Sequence, residues 1–169
     1  MRLQTCKRRI VEHRQTRNID VGALQTNLID PSSTYMLRSF MDDLDLNPTV
    51  TVDDTNSCTT LHGILPSRKG HEALALVTPW SPSTHSSASL TAAATLLAHL
   101  ATAPWRAKDL VWVVPNTSAP CELLPTMRTW VRRYMDSDSA CARGGALQQA
   151  VVVEVPMMHA ETAVIVHDL

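Results

Sequence analysis

The side chains able to do chemistry in this sequence are scattered. Four cysteines stand at Cys6, Cys58, Cys121 and Cys141. None forms the closely spaced pair of a zinc knuckle. A disulfide between distant cysteines is open to the chain in an oxidising compartment, but the wide spacing favours scattered free thiols. Cys121 and Cys141 both follow loop-forming stretches, and His99, His159 and His167 lie elsewhere. A thiol paired with an imidazole would be an activated nucleophile. No family-specific motif surrounds either cysteine, so the reading that results is structural. Gly144-Gly145 is an isolated pair in a polar loop, too little to cradle a phosphate. Asn116-Thr117-Ser118 is an acceptor sequence for N-linked glycans, usable if the segment is exposed and faces a secretory lumen.

Positioning these residues falls to an alternation of helices and strands. Residues 1–28 carry a loose helical period, and Asp30-Pro31-Ser32-Ser33 breaks it with capping residues. Tyr35, Met36, Leu37, Phe40, Met41 and Leu44 give a second helix, Ser33–Asp45, an apolar stripe. Asn47-Pro48 ends it. Thr49–Val52 and Cys58–Leu65 read as an antiparallel hairpin across a polar turn, with Gly63 marking a bulge or a close backbone approach. Ala73–Thr78 and Leu110–Val114 are continuous apolar runs, as in strands buried on both faces. Helices are expected over Leu90–Ala101 and Cys121–Met135. Ala146–Val155 is helix or strand, its Val151–Val155 half strongly β, and Thr162–Val166 is a final strand. The order predicts an α/β fold with a mixed, mostly parallel sheet and helices on both faces. It divides into a helical lead, 1–30, and one α/β domain, 31–169. Ending just after an apolar strand, that domain is expected to be part of a larger one.

Composition narrows the function. The chain has 169 residues, 44% of them hydrophobic and 18% charged, with a net charge of −1. That length suits one domain with a substantial core. Near-neutrality gives no pull toward nucleic acid. Arg2, Lys7, Arg8, Arg9, Arg14 and Arg17 make the first twenty residues basic, which is read as a solvated terminus. No apolar run is long enough to cross a bilayer, and Met1–Ile10 lacks the apolar centre of a signal peptide.

Three segments carry a family resemblance. Leu61-His62-Gly63-Ile64-Leu65 and the following Glu72–Trp80 are similar to a Y-G-I-L…E-x-x-V-L-x-V-P stretch. Trp105-Arg106-Ala107-Lys108-Asp109-Leu110-Val111-Trp112-Val113-Val114 resembles W-[AS]-K-D-I-V-F-L-V. Gly144–Glu154 resembles G-x-I-Q-A-A-V-x-L-E. In this order and spacing, over about residues 31–169, they resemble the Gaa-type GPI-anchor attachment proteins, components of GPI transamidase. The resemblance implies a luminal domain of an endoplasmic reticulum membrane protein whose membrane spans lie outside this chain. It implies a cysteine-protease-like catalytic subunit and the other transamidase subunits as partners. The GPI lipid or the C-terminal signal of a proprotein would be the substrates met.

The resemblance also implies an aminopeptidase-like scaffold. Zinc exopeptidases of that fold hold two metal ions at the carboxyl ends of the strands, on histidines and carboxylates. At the matching places this chain has Thr78-Pro79-Trp80-Ser81, then Ser83–Ser87 with His85, then Pro115–Pro120. Glu154 alone stands where a carboxylate ligand would. One carboxylate cannot make a two-metal site, so a pseudo-enzyme without metal or other cofactor is expected. The alternative is a metallo-aminopeptidase-like enzyme with a degenerate site on His85 and Glu154. Ligands gather at the carboxyl ends of strands in open α/β sheets. Trp80, and Trp105 after Pro104, are therefore the candidate contact residues for substrate or partner, beside a purely packing role.

Overall fold

The computed structural model describes residues 33–53, 57–67, 71–81, 87–103, 106–136, 144–155 and 165–168. The expected helix over 1–28 lies outside them. Helix α1 (Ser33–Asp43) leads into strands β1 (Thr49–Val52), β2 (Thr59–Leu65) and β3 (Glu72–Val77). Helix α2 (Ser87–Ala101), β4 (Asp109–Pro115), α3 (Leu123–Asp136), β5 (Ala146–Glu154) and β6 (Ile165–Asp168) follow. The sheet order is β1-β2-β4-β3-β5-β6. β4, β3 and β5 run parallel, while β1 and β2 at one side and β6 at the other pair antiparallel to their neighbours.

Strict alternation along the strands divides the core in two. Leu61, Leu76, Leu110, Trp112, Val114 and Val153 face α1 and α2. Ala73, Ala75, Val77, Val111, Val113 and Val152 face α3. A strand side-chain period of two enforces this division. β4 is buried over its whole length, as its uninterrupted apolar run requires. α2 presents Leu90, Ala93, Ala94 and Leu97 at helical spacing, and its two alanines let it lie close to the sheet. α3 presents Met127, Trp130 and Tyr134 to the opposite face, where the last two stack edgewise on His62.

Some boundaries differ from the sequence expectation for local reasons. α1 stops at Asp43, two residues early. Asp45 takes a left-handed φ of 56°, Leu46 N–H donates to Met41 O at 2.9 Å, and Asp45 N–H donates to Asp42 O at 2.9 Å. These are the paired bonds of a Schellman cap, with Leu46 and Met41 as its apolar contact. α2 begins at Ser87, within the Ser-rich stretch, and α3 begins only at Leu123. Pro125 is tolerated there because first-turn N–H groups have no helical partner. Residues 146–154 are strand throughout, with a register shift that sets Gln148 apart from the ladder. The last strand lies at Ile165–Asp168, so residues 162–164 of its expected span are outside the described ones.

Gly63 marks a close approach and no bulge. Its pairing with Trp112 is regular, but a Cβ there would lie 2.7 Å from Leu46 Cβ and 3.2 Å from Met41 Sδ. The Schellman cap of α1 therefore sits directly on a strand that has no side chain at that point. Gly63→Ala is expected to lower stability by about 1–3 kcal/mol through overpacking, read as a reduced urea midpoint with an unchanged slope.

At the amino ends of the parallel strands, Asp109 is buried. Its Oδ1 accepts from Ser67 N–H at 2.6 Å, and its Oδ2 accepts from Gly145 N–H at 2.9 Å. Arg106 lies close enough to feel the same charge. Burial lowers its pKa from the usual value and Asp109 opposes that shift, while its guanidinium donates to Leu100 O and Pro66 O. Tyr134 Oη donates to Gly145 O at 3.1 Å. A Cβ on Gly145 would collide with the backbone of His71 and Glu72. By contrast, the Lys108–Glu72 ion pair at 3.2 Å is half exposed on both sides. Asp109→Ala leaves two buried N–H donors without an acceptor, so a loss of about 1–3 kcal/mol per donor is expected. Lys108→Ala should change stability by less than about 1 kcal/mol. Urea unfolding of the two variants side by side measures the contrast.

Candidate functional site

The crossover from β3 through α2 goes one way along the sheet to β4, and the crossover from β4 through α3 returns past β3 to β5. The two helices lie on opposite faces. The switch point, where open α/β sheets place ligands, is thus between the carboxyl ends of β3 and β5. The chain there is knitted together. Thr78 is fully buried and its Oγ1 accepts from Trp112 Nε1–H at 3.1 Å. Ser89 Oγ, at the start of α2, accepts from Val155 N–H at 2.8 Å and ties that helix to the end of β5.

Beyond β3 and β4 the pairing continues. Trp80 and Asn116 form a parallel bridge, with Trp80 N–H donating to Pro115 O and Thr117 N–H donating to Trp80 O. Asn116 N–H donates to Thr59 O at 2.9 Å, and Asn116 Oδ1 accepts from Ser118 N–H at 2.8 Å. The Oγ atoms of Ser81 and Ser118 are 3.5 Å apart. Trp80 packs against the core and also walls a shallow groove with Leu37, Val50, Thr59, Leu61 and Asn116. Trp80 is thus partly buried against the core and also lines the groove.

A disulfide joins Cys58 and Cys121, with 5.7 Å between their Cα atoms. This corrects the expectation of scattered free thiols for those two residues; Cys6 and Cys141 lie outside the described residues. Linear spacing gave no cue. Cys58 precedes β2 and Cys121 follows the turn after β4, and it is the antiparallel pairing of β2 with β4 that brings them together. The pairing also answers the nucleophile reading of Cys121, whose sulfur is spent in the bridge.

The other candidates separate. Glu154 is exposed at the end of β5. Alternation puts it on the α3 face, as Val152 is, whereas Trp80 lies on the α1/α2 face. The two do not share a site. His85 and Trp105 lie outside the described residues. A two-zinc centre needs a convergent set of nitrogen and carboxylate donors. The described side chains at the ends of β3 and β4 are Thr78, Trp80, Ser81, Asn116, Thr117 and Ser118, all neutral, and Glu154 is the carboxylate described at the end of β5. Among the described residues no three His, Cys, Asp or Glu stand together as a metal-binding group. That donor set does not fit the metal centre of a zinc exopeptidase.

A family model described as "Gaa1-like, GPI transamidase component" matches residues 56–167, well over half of the chain. The chain belongs to this family. Its fold is found in a solved structure described as a Zn-dependent exopeptidase from Bacteroides vulgatus, with a TM-score of 0.56 at 8% identity. The match covers 80% of the Gaa1-like chain and 57% of that structure, so the chain spans somewhat more than half of its length. At such identity the likeness speaks for the fold alone. No curated protein sequence matches the chain. The α/β architecture with helices on both faces, expected from the order of apolar runs, stands. No helix among the described residues is long and apolar enough to cross a membrane.

Two of the three segments that carry the family resemblance meet at the amino ends of the strands. Asp109 from the K-D stretch binds Gly145 from the G-x-I-Q stretch. The most specific family residues described are therefore architectural. The disulfide closes the other end of the sheet. Replacing Cys121 by Ser is expected to cost about 2–4 kcal/mol, visible in non-reducing buffer as a lower melting temperature than that of the parent.

Proposed function

We propose that this domain serves GPI-anchor attachment as a non-catalytic part of GPI transamidase. It would help assemble the complex or present its substrates while a cysteine-protease-like partner subunit cleaves the C-terminal signal and transfers the new carboxyl end to the GPI ethanolamine. The observation that carries this reading is the neutral, hydrogen-bonded carboxyl ends of β3 and β4 within a member of a transamidase component family. Thr78, Trp80, Ser81, Asn116 and Ser118 occupy the ends of β3 and β4 in a hydrogen-bonded arrangement, and Glu154, the carboxylate described at the end of β5, lies on the opposite face of the sheet from Trp80. The Cys58–Cys121 bridge supports a place in an oxidising compartment, in keeping with the lumen of the endoplasmic reticulum. Membrane attachment would come from spans outside this chain.

Trp80 and Glu154 are the proposed contact residues, one on each face of the sheet; His85 and Trp105 stand with them on sequence grounds. Trp80 offers an aromatic wall to an apolar peptide or to a sugar face, and Glu154 an exposed charge to a partner. The competing reading is a metallo-aminopeptidase-like enzyme working with a reduced ligand set on His85 and Glu154.

The test is complementation in cells lacking their own Gaa-type component, with surface display of a GPI-anchored reporter as readout. Trp80→Ala is expected to reduce display several-fold at equal protein abundance, and Glu154→Gln and His85→Ala to reduce it by less, none of them with any change in bound metal. Stoichiometric zinc in the purified complex, lost together with reporter display in Glu154→Gln, would overturn the non-catalytic reading. Unchanged display in Trp80→Ala would remove Trp80 from the contact surface.

A further inference from the structure

Asn116-Thr117-Ser118 helps close the strand ends, and its geometry supports a second role. We propose that Asn116 carries an N-linked glycan. Among the Asn-x-Ser/Thr matches in the chain, Asn47-Pro48-Thr49 is barred by its central proline; Asn116 remains. It follows directly on β4, where the chain leaves the core, and it is half-exposed. Its neighbours Ala119, Pro120 and Glu122 are exposed, and so is Val50 across the groove. There is room for an oligosaccharide to leave the surface.

The side-chain amide is divided between two tasks. Oδ1 is occupied by the N–H of Ser118 at 2.8 Å, which closes the asparagine on the residue two places ahead. Among the described residues Nδ2 has no hydrogen-bond partner, and it is not one of the buried polar atoms lacking one, so it opens to solvent. That is the atom to be modified. The backbone of Asn116 is held separately, by Thr59 O and by the bridge to Trp80, so modification of Nδ2 would break no described hydrogen bond.

The chemistry is a transfer from a polyprenyl pyrophosphate oligosaccharide, catalysed by the host glycosyltransferase of the secretory pathway. A bond forms between Nδ2 and C1 of the first N-acetylglucosamine. The bond from C1 to the pyrophosphate oxygen breaks, its electrons leave with the lipid pyrophosphate, and Nδ2 gives up one proton to solvent. Rooted between Thr59 and Trp80, the first sugar shares the groove, so a partner or substrate seated on Trp80 meets the sugar as part of the same surface. The inference rests on the luminal placement proposed above.

The experiment expresses the full chain in eukaryotic cells and compares it with Asn116→Gln and Ser118→Ala. The second variant removes the acceptor hydroxyl and keeps the backbone bond to Oδ1. Each sample is denatured and run with and without an amidase that releases N-glycans, and the Cys58–Cys121 pair is scored in parallel by thiol alkylation. The parent chain is expected to shift by one glycan on treatment. Both variants should run with the treated parent, and mass spectrometry of the treated parent should find aspartate at 116. An oxidised Cys58–Cys121 pair together with an unshifted parent overturns the glycan while leaving luminal placement intact. Reduced cysteines in the untreated cells would overturn the luminal placement and this inference with it.

Discussion

The carboxylate of Asp109 is buried at the amino ends of the strands, and each of its oxygens holds the backbone of a different segment. Ser67, just past β2, and Gly145, just before β5, donate their N–H groups to it. Because Asp109 opens β4, one side chain ties three strands whose starts and ends are far apart in sequence. A buried carboxylate is tolerable only when its lone pairs are met. The two backbone donors meet that demand, and Arg106 lies near enough for its charge to interact with the carboxylate. The glycines follow from the same constraint: at Gly145 a side chain would strike the backbone of β3, so the chain can approach Asp109 only without one.

The carboxyl ends are held differently, and at β3 and β4 they are closed by neutral groups. Trp112 donates to Thr78, Ser89 accepts from Val155, and the Trp80–Asn116 bridge extends the parallel pairing past the end of the sheet. The Cys58–Cys121 bridge anchors the same end from the β2 side. The result is a shallow groove bordered by hydrogen bonds already made. The proposed contact residues Trp80 and Glu154 stand on opposite faces of the sheet.

Much of this was readable in the chain. The runs at Ala73–Thr78 and Leu110–Val114 announced strands buried on both faces, and the spacing Leu37, Phe40, Met41, Leu44 announced a helix laid on them. Gly63 flagged a close approach before its cause, the Leu46–Met41 cap, was known. Three short segments pointed to the family. Such features are local: a period of two or of 3.6 is written into consecutive residues, and a motif keeps its order whatever the tertiary structure does.

What only the tertiary structure decided are the relations between residues far apart. The partnership of Cys58 with Cys121, 63 residues on, depends on β2 pairing antiparallel with β4, and no spacing rule contains that. The separation of Trp80 from Glu154 depends on strand alternation counted through the actual register. The role of Asp109 depends on two loops converging on one carboxylate. Sequence determined the elements and the family because those reside in local pattern. Structure alone decided which side chains meet, because long-range contacts are set by the sheet order and by the few buried polar groups that must be satisfied within it.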